Sequence, residues 1–557
     1  MNKIRFLPVL PILMVFGLTG CLGGGVSASS SVSTISSEAS ISSEITISSS
    51  TSSNISISSS LSSSVQISSS SVAISSSSIA SSISSASDSS EANVSSSASS
   101  EVVVSVNEFS VNLDPHPDNT LMALLSVTSD NPAKVTVNYG ISGSGNLNRQ
   151  MTSPDFGLQQ DFTLIAMRAN TTYEVSVTLD LESGVSQLAP SQTITTGNLP
   201  PSAPTIVLEV SEEAQTGGIT LFGIGTASRP NVTAPVYFGV DEEGQIVWYL
   251  HNNRHTVGIP IIRRTASGNL NLVINKTLED VTSAGRVLAA HDFSQIQGSH
   301  HDQVLLPDGN IIGMGERLVQ VGNQQLLADT LVEIDGTTGA ALWEWNSADY
   351  LDTGRFPSAL ATSVVRGGLD WTHGNGMYYD ATDNTILASY RSQSWVVKVD
   401  RATREVIWIL GNSNNLSPGF TGNFFSLAEG TWMANEHAPD VAANGDILVY
   451  DNRNDANGAN INSRAVRYAL DTETMTATQV WEVVAPKYTA ILGDIDELDN
   501  GNYLVCSGGS GSDGNARVFE AAKENNQQIL WQISVLNTLL FRAERVDWQE
   551  FLNSSMQ

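Results

Sequence analysis

Eight histidines stand in this chain of 557 residues, and three of them fall at comparable places in a repeated sequence pattern. His301 lies eight residues before the turn glycine Gly309, and His437 lies eight before Gly445. His373 opens His373-Gly374-Asn375 ahead of a similar turn at Asp383, and the returning stretch Ile386 to Arg391 brings Arg391 back to the same end. Three imidazoles, an amide and a guanidinium at one opening suit two chemistries. Three histidines bind zinc, whose water then hydrolyses a substrate, but a guanidinium aimed at the same point opposes a dication. Arginine, asparagine and imidazole instead match a tetrahedral oxyanion, on which an uncoordinated imidazole acts as nucleophile. Corresponding strand ends add Asn452 and Ser507, and His300 competes with His301 because strand alternation lets one of the two face inward. His116, His251, His255 and His291 lack this register and read as surface or structural residues.

Such convergence needs repeated elements around an axis. A turn followed by an apolar strand occurs six times, at Gly217–Phe222, Gly268–Val273, Asp308–Ile312, Asp383–Leu387, Asn444–Leu448 and Asn500–Leu504. Each copy precedes a further strand pair, which in five units ends in a tryptophan: Trp248, Trp343, Trp408, Trp481 and Trp531. The remaining unit has Ala289 there. Short four-stranded units of this kind bury their faces by stacking radially, so residues 204–557 read as a six-bladed β-propeller. Residues 102–198 show alternating runs separated by turns and read as a small immunoglobulin- or fibronectin-like β-sandwich, with Tyr173 in a tyrosine-corner setting. The fold class is therefore all-β.

The first hundred residues belong to neither domain. Lys3 and Arg5, the apolar run Phe6–Phe16 and the end Leu18-Thr19-Gly20-Cys21 read as a lipoprotein signal peptide over residues 1–20, with Cys21 lipidated. Leu22 after that cysteine favours the outer membrane, so the protein is expected to be exported and anchored by lipid, facing periplasm or cell surface. Residues 21–101 are mostly serine with few aromatics and read as a disordered linker, with a reach of roughly 45–50 Å. Cys506 is then the single remaining cysteine, so no internal disulfide forms. A net charge of −30 argues against nucleic acid as partner, because a polyanion would be repelled. The sequence says nothing of oligomeric state.

The segment Asp370-Trp371-Thr372-His373-Gly374-Asn375, with Arg391 ending the next strand, resembles the central motif of the bacterial arylsulfate sulfotransferases that need no nucleotide sulfate donor. The blocks His300-His301-Asp302 through Asn310 and Glu436-His437-Ala438-Pro439 through Asn452 are similar to that family's two other histidine blocks. The resemblance runs from about Pro204 onward. It implies that His437 takes a sulfuryl group from a phenolic sulfate ester and passes it to a phenolic acceptor, with ping-pong kinetics and neither metal nor cofactor. It also implies that His373, Asn375, Arg391 and His301 hold the sulfuryl oxygens, with His300, Ser507 and Asn452 as substrate contacts. Glu436 and the lack of a disulfide depart from the family pattern. Two other functions remain open on the same scaffold: a non-catalytic surface propeller binding glycans or peptides, and a metal-dependent hydrolase.

Overall fold

The computed structural model describes residues 107–211, 218–229, 232–252, 260–265, 267–274, 276–453, 461–509, 513–524 and 528–557. The expected signal peptide, Cys21 and serine-rich linker lie outside the described residues. Strands dominate what is described, with two short α-helices at Ser347–Tyr350 and Trp548–Ser554.

Six sheets of four or more strands follow the sandwich, and they are the blades. From the innermost strand outward the second blade runs Ile261–Arg264, Leu270–Ile274, Thr277–Val281 and Val287–Asp292. The third, fourth, fifth and sixth open with Gln303–Leu305, Gly374–Asp380, His437–Val441 and Asp494–Glu497. The turn-strand copies read from the sequence are the second strand of every blade.

The first blade is assembled differently. Its innermost strand is Ala543–Asp547, antiparallel to Gly218–Ile224, while Ile206–Ser211 pairs with Ile529–Val535 as the outermost strand of the sixth blade. Chain segments from both ends of the propeller thus close the ring. The sequence pattern does not reveal this exchange, because each closing strand is short and lies outside the repeated unit.

One irregularity recurs in all six blades. The ladder between third and fourth strands slips at Gly239/Val240, Asp280/Val281, Glu333/Ile334, Lys398/Val399, Arg467/Tyr468 and Glu520/Ala521. The residue opposite each slip is the repeated tryptophan, or Ala289 in the second blade. A bulge increases local twist and re-aims the side chain beside it. Trp248, Trp481 and Trp531 consequently reach the neighbouring blade, donating their indole N–H to the carbonyls of Ser283 (2.7 Å), Ala522 (3.2 Å) and Glu242 (2.8 Å). Trp343 donates to Glu333, which is paired with Arg401 of the fourth blade.

The sandwich hangs on one long strand, Ala123–Ile141. Its first half pairs with Phe109–Pro115 and Gly157–Leu164, and its second half with Arg149–Thr152 and Thr172–Leu181. Val127 and Val135 from the two halves and Val175 from Thr172–Leu181 share one apolar cluster. The hydroxyl of Tyr173 accepts the backbone N–H of Arg168 at 2.8 Å, which is the tyrosine corner.

Candidate functional site

The inner strands of the third, fourth and fifth blades start at one mouth of the channel, and their first residues do not run straight. His301 and His373 hold φ of 51° and 49°, and Asn435 and Ala438 flank His437 with φ of 56° and 47°. Side chains in this region cost about 1–2 kcal/mol, which the surrounding packing must offset. Two ladders also slip, between Gly374 and Gly376 and between His437 and Asp440. A Cβ on Gly376 would stand 2.8 Å from Ala438 Cα, so the inner strands of the fourth and fifth blades meet backbone to backbone.

These kinks gather the predicted residues. The rings of His301 and His373 lie 5.1 Å apart. Burial and then the charges of His300, His373, His437 and Arg391 hold His301 well below the ordinary imidazole value. Burial, followed by Arg391, does the same for His437, and it lowers His373 in the same order. All three are neutral near pH 7 and keep a lone pair, as a nucleophile or base requires.

Each ring is fixed by a different partner. His437 is 1 % exposed; its Nδ1 lies 2.6 Å from Asn452 Oδ1, and its Nε2 accepts the backbone N–H of Leu492 at 3.1 Å. His373 Nδ1 lies 2.8 Å from Asp370 Oδ2. His301 Nδ1 lies 2.7 Å from His300 Nδ1, and His300 Nε2 stands 2.9 Å from Asp329 Oδ1, an ion-pair contact off the straight line of a hydrogen bond. Burial disfavours a charge on His300, but the Asp329 carboxylate close to its Nε2 outweighs it and raises its pKa.

Arg391 is the least satisfied group. It is 8 % exposed, its Nη2 reaches Asp370 Oδ2 at 3.4 Å, and its buried Nε has no partner. A desolvated guanidinium with donors left open has the chemistry to bind an anion. Among the described residues no group of three or more His, Cys, Asp or Glu side chains is arranged to hold a metal ion.

Three sequence expectations change in the structure. Asn452 is fully buried and bonds His437, with its Nδ2 donating to the carbonyls of Thr489 (3.0 Å) and Leu492 (2.9 Å), so it fixes the ring from within the protein. Ser507 is buried behind the site, with its hydroxyl 2.8 Å from that of Tyr450. His300 and His301 were expected to exclude one another by alternation, yet their rings are bonded, because both precede the strand and His301 is left-handed. Asn375 lies in the wall with its Nδ2 donating to the Glu436 carbonyl at 2.8 Å and its Oδ1 unpartnered. Asp370 opens the segment singled out in the sequence, whereas Asp329 and Leu492 were missed, because they are distant in sequence and left no signal.

Residues 209–542 match the sequence model of the family described as Arylsulfotransferase (ASST). The arylsulfate sulfotransferase AssT of Escherichia coli O6:H1 (strain CFT073) is 24 % identical over 380 residues, covering 54 % of this chain and 62 % of that protein. AssT of Lelliottia amnigena is 22 % identical over 348 residues, 49 % of this chain and 56 % of that protein. The chain therefore spans less than two thirds of the length of these curated relatives. Among solved structures, the periplasmic gluconolactonase PpgL of Pseudomonas aeruginosa aligns over 74 % of this chain and 99 % of its own, at 12 % identity and a TM-score of 0.32.

Proposed function

The chain belongs to the arylsulfotransferase family, and from that premise we propose that it moves a sulfuryl group from a phenolic sulfate ester to a phenolic acceptor through a sulfohistidine. The observation that carries this reading is Arg391, a buried guanidinium with an open donor beside three neutral imidazoles. A sulfuryl group presents three oxygens on which charge accumulates in the transition state, and preset donors there act strongly because water is excluded.

His437 is the nucleophile. Asn452 Nδ2 donates to two carbonyls, so its Oδ1 accepts and the His437 proton stays on Nδ1. The lone pair is then on Nε2. It attacks sulfur as the bond to the phenolic oxygen breaks, and the electron pair leaves with that oxygen. The Leu492 N–H, which rests on this lone pair, is released to a sulfuryl oxygen of the adduct. A phenol acceptor reverses the steps. His373 competes for the role, because its Nε2 has no partner among the described residues while Asp370 fixes its Nδ1.

Incubating the purified protein with 4-nitrophenyl sulfate alone is expected to release nitrophenol in one stoichiometric burst and to add one sulfuryl group to the peptide carrying His437. A phenol acceptor should then restore turnover, and His437→Ala should lower the burst rate at least about 10³-fold. An adduct on the His373 peptide would move the nucleophile there. Absence of both adduct and turnover with every aryl sulfate tried would overturn the enzyme reading in favour of a glycan- or peptide-binding propeller.

Export as a lipoprotein, with Cys21 carrying lipid, is proposed from the sequence alone. Labelled palmitate incorporation that survives Cys21→Ala would refute it.

A further inference from the structure

The hydrogen bonds assign a proton to each imidazole of the mouth. His437 carries it on Nδ1, as derived above. His373 also carries it on Nδ1, because that nitrogen faces the Asp370 carboxylate. Both therefore present a lone pair from Nε2. His301 is opposite. Its Nδ1 meets His300 Nδ1, so one proton lies between two nitrogens. His300 has Asp329 at its other nitrogen, and Asp329 Oδ2 in turn accepts the Thr372 hydroxyl. The remaining charged groups acting on His300 are Glu316 and Arg366, which are paired with each other. A carboxylate against Nε2 keeps His300 protonated on both nitrogens, so its Nδ1 donates and His301 accepts. His301 must then hold its own proton on Nε2, which has no partner among the described residues. Of the three site imidazoles, His301 alone carries its proton on a ring nitrogen with no partner among the described residues.

We propose that His301 is the general acid for the departing phenolate and that His300, held by Asp329, is the proton store behind it. The assignment rests on the sulfuryl-transfer reading. As the sulfur–oxygen bond breaks, its electron pair goes to the phenolic oxygen, which takes the Nε2 proton of His301. His301 simultaneously accepts the Nδ1 proton of His300, which is left neutral with its Nε2 proton against Asp329. In the second half-reaction the acceptor phenol returns a proton to His301 Nε2, and the Nδ1 proton moves back to His300. No proton is gained or lost over the cycle. The raised pKa of His300 and the depressed pKa of His301 agree with this direction of transfer. His301 is thus a catalytic residue, and His300 and Asp329 act through it.

The test is the leaving-group dependence of the burst with donor alone. The phenol of 4-nitrophenyl sulfate is acidic and leaves with little help, whereas unsubstituted phenol has a pKa of about 10 and needs its proton. His300→Asn should slow the burst with phenyl sulfate by about 10²–10⁴. With 4-nitrophenyl sulfate the loss should stay under about tenfold, which also shows that the variant has folded. Asp329→Asn should steepen the dependence in the same direction. In the unaltered protein the phenyl sulfate burst should fall as pH rises through the His300 pKa, and this limb should vanish in His300→Asn. Equal losses on both donors would reduce the pair to a structural role and overturn the relay while leaving the sulfohistidine intact. No adduct from either donor in the unaltered protein would instead remove the premise.

Discussion

Deep in the channel the Asp302 carboxylate accepts from Arg263 (2.8 Å), from Arg542 (2.7 Å) and from the backbone N–H of Met377 (2.8 Å). At the mouth Arg391 makes one contact of 3.4 Å with a carboxylate and leaves Nε open. Both groups are buried. Burial alone would raise the Asp302 pKa, yet the two arginines and the Met377 amide overcome it and hold the group below its ordinary value. Asp302 ties the second blade, the fourth blade and the closing C-terminal segment, so its charge is structural. Arg391 ties almost nothing. Arg263 and Arg542 also leave Nε open, so what sets Arg391 apart is its single long carboxylate contact of 3.4 Å, against their 2.8 and 2.7 Å to Asp302.

This contrast can be broken at either end. Asp302→Ala leaves two buried guanidiniums facing no carboxylate at their centre and should cost about 3–5 kcal/mol in chemical denaturation. A loss below about 1 kcal/mol would mean that Arg263 and Arg542 are held by other groups, so that the two clusters differ less than described. Arg391→Ala should lower kcat for sulfuryl transfer about 10²–10³-fold with little change in the denaturation midpoint. Arg391→Lys should not restore it, because an ammonium lacks the planar fork. A large stability loss with either Arg391 variant would place this arginine with Asp302.

Glu436 sharpens the comparison from between the two clusters. It is fully buried, its Oε1 accepts the Ser389 hydroxyl at 3.0 Å, and its Oε2 has no partner. Burial pushes its carboxyl up to about 7. In the unfolded chain the same carboxyl titrates near about 4.3, so the folded form binds the extra proton. Its contribution is therefore full below the unfolded pKa and is lost as pH rises to about 7, on the order of 3 kcal/mol. Glu436→Gln should flatten the stability profile between those pH values. An unchanged slope would show that Glu436 is ionised in the fold.

Repetition made the blades and much of the mouth legible. Recurrent turn-strand copies place second strands, and counting back from Gly309 and Gly445 finds His301 and His437. Counting fails where the backbone departs from a plain strand. The left-handed turn at His301 let two adjacent imidazoles meet, against alternation. Asn452 and Ser507 stand at strand ends, as the pattern requires, but side-chain direction there is set by Thr489, Leu492 and Tyr450, which no spacing rule connects to them. Asp329 is likewise supplied by a third strand, where the repeat carries no marker of chemistry.

Ring closure has a last implication. Phe541 and Arg542 immediately precede the final inner strand; the Phe541 ring lies 6.1 Å from that of His301, and Arg542 grips Asp302, the residue after it. During synthesis these two side chains emerge after the second strands of all six blades. A nascent chain with five and a half blades therefore lacks the clamp beside its acid histidine, and the catalytic geometry arises when the circle completes, not gradually as blades accumulate.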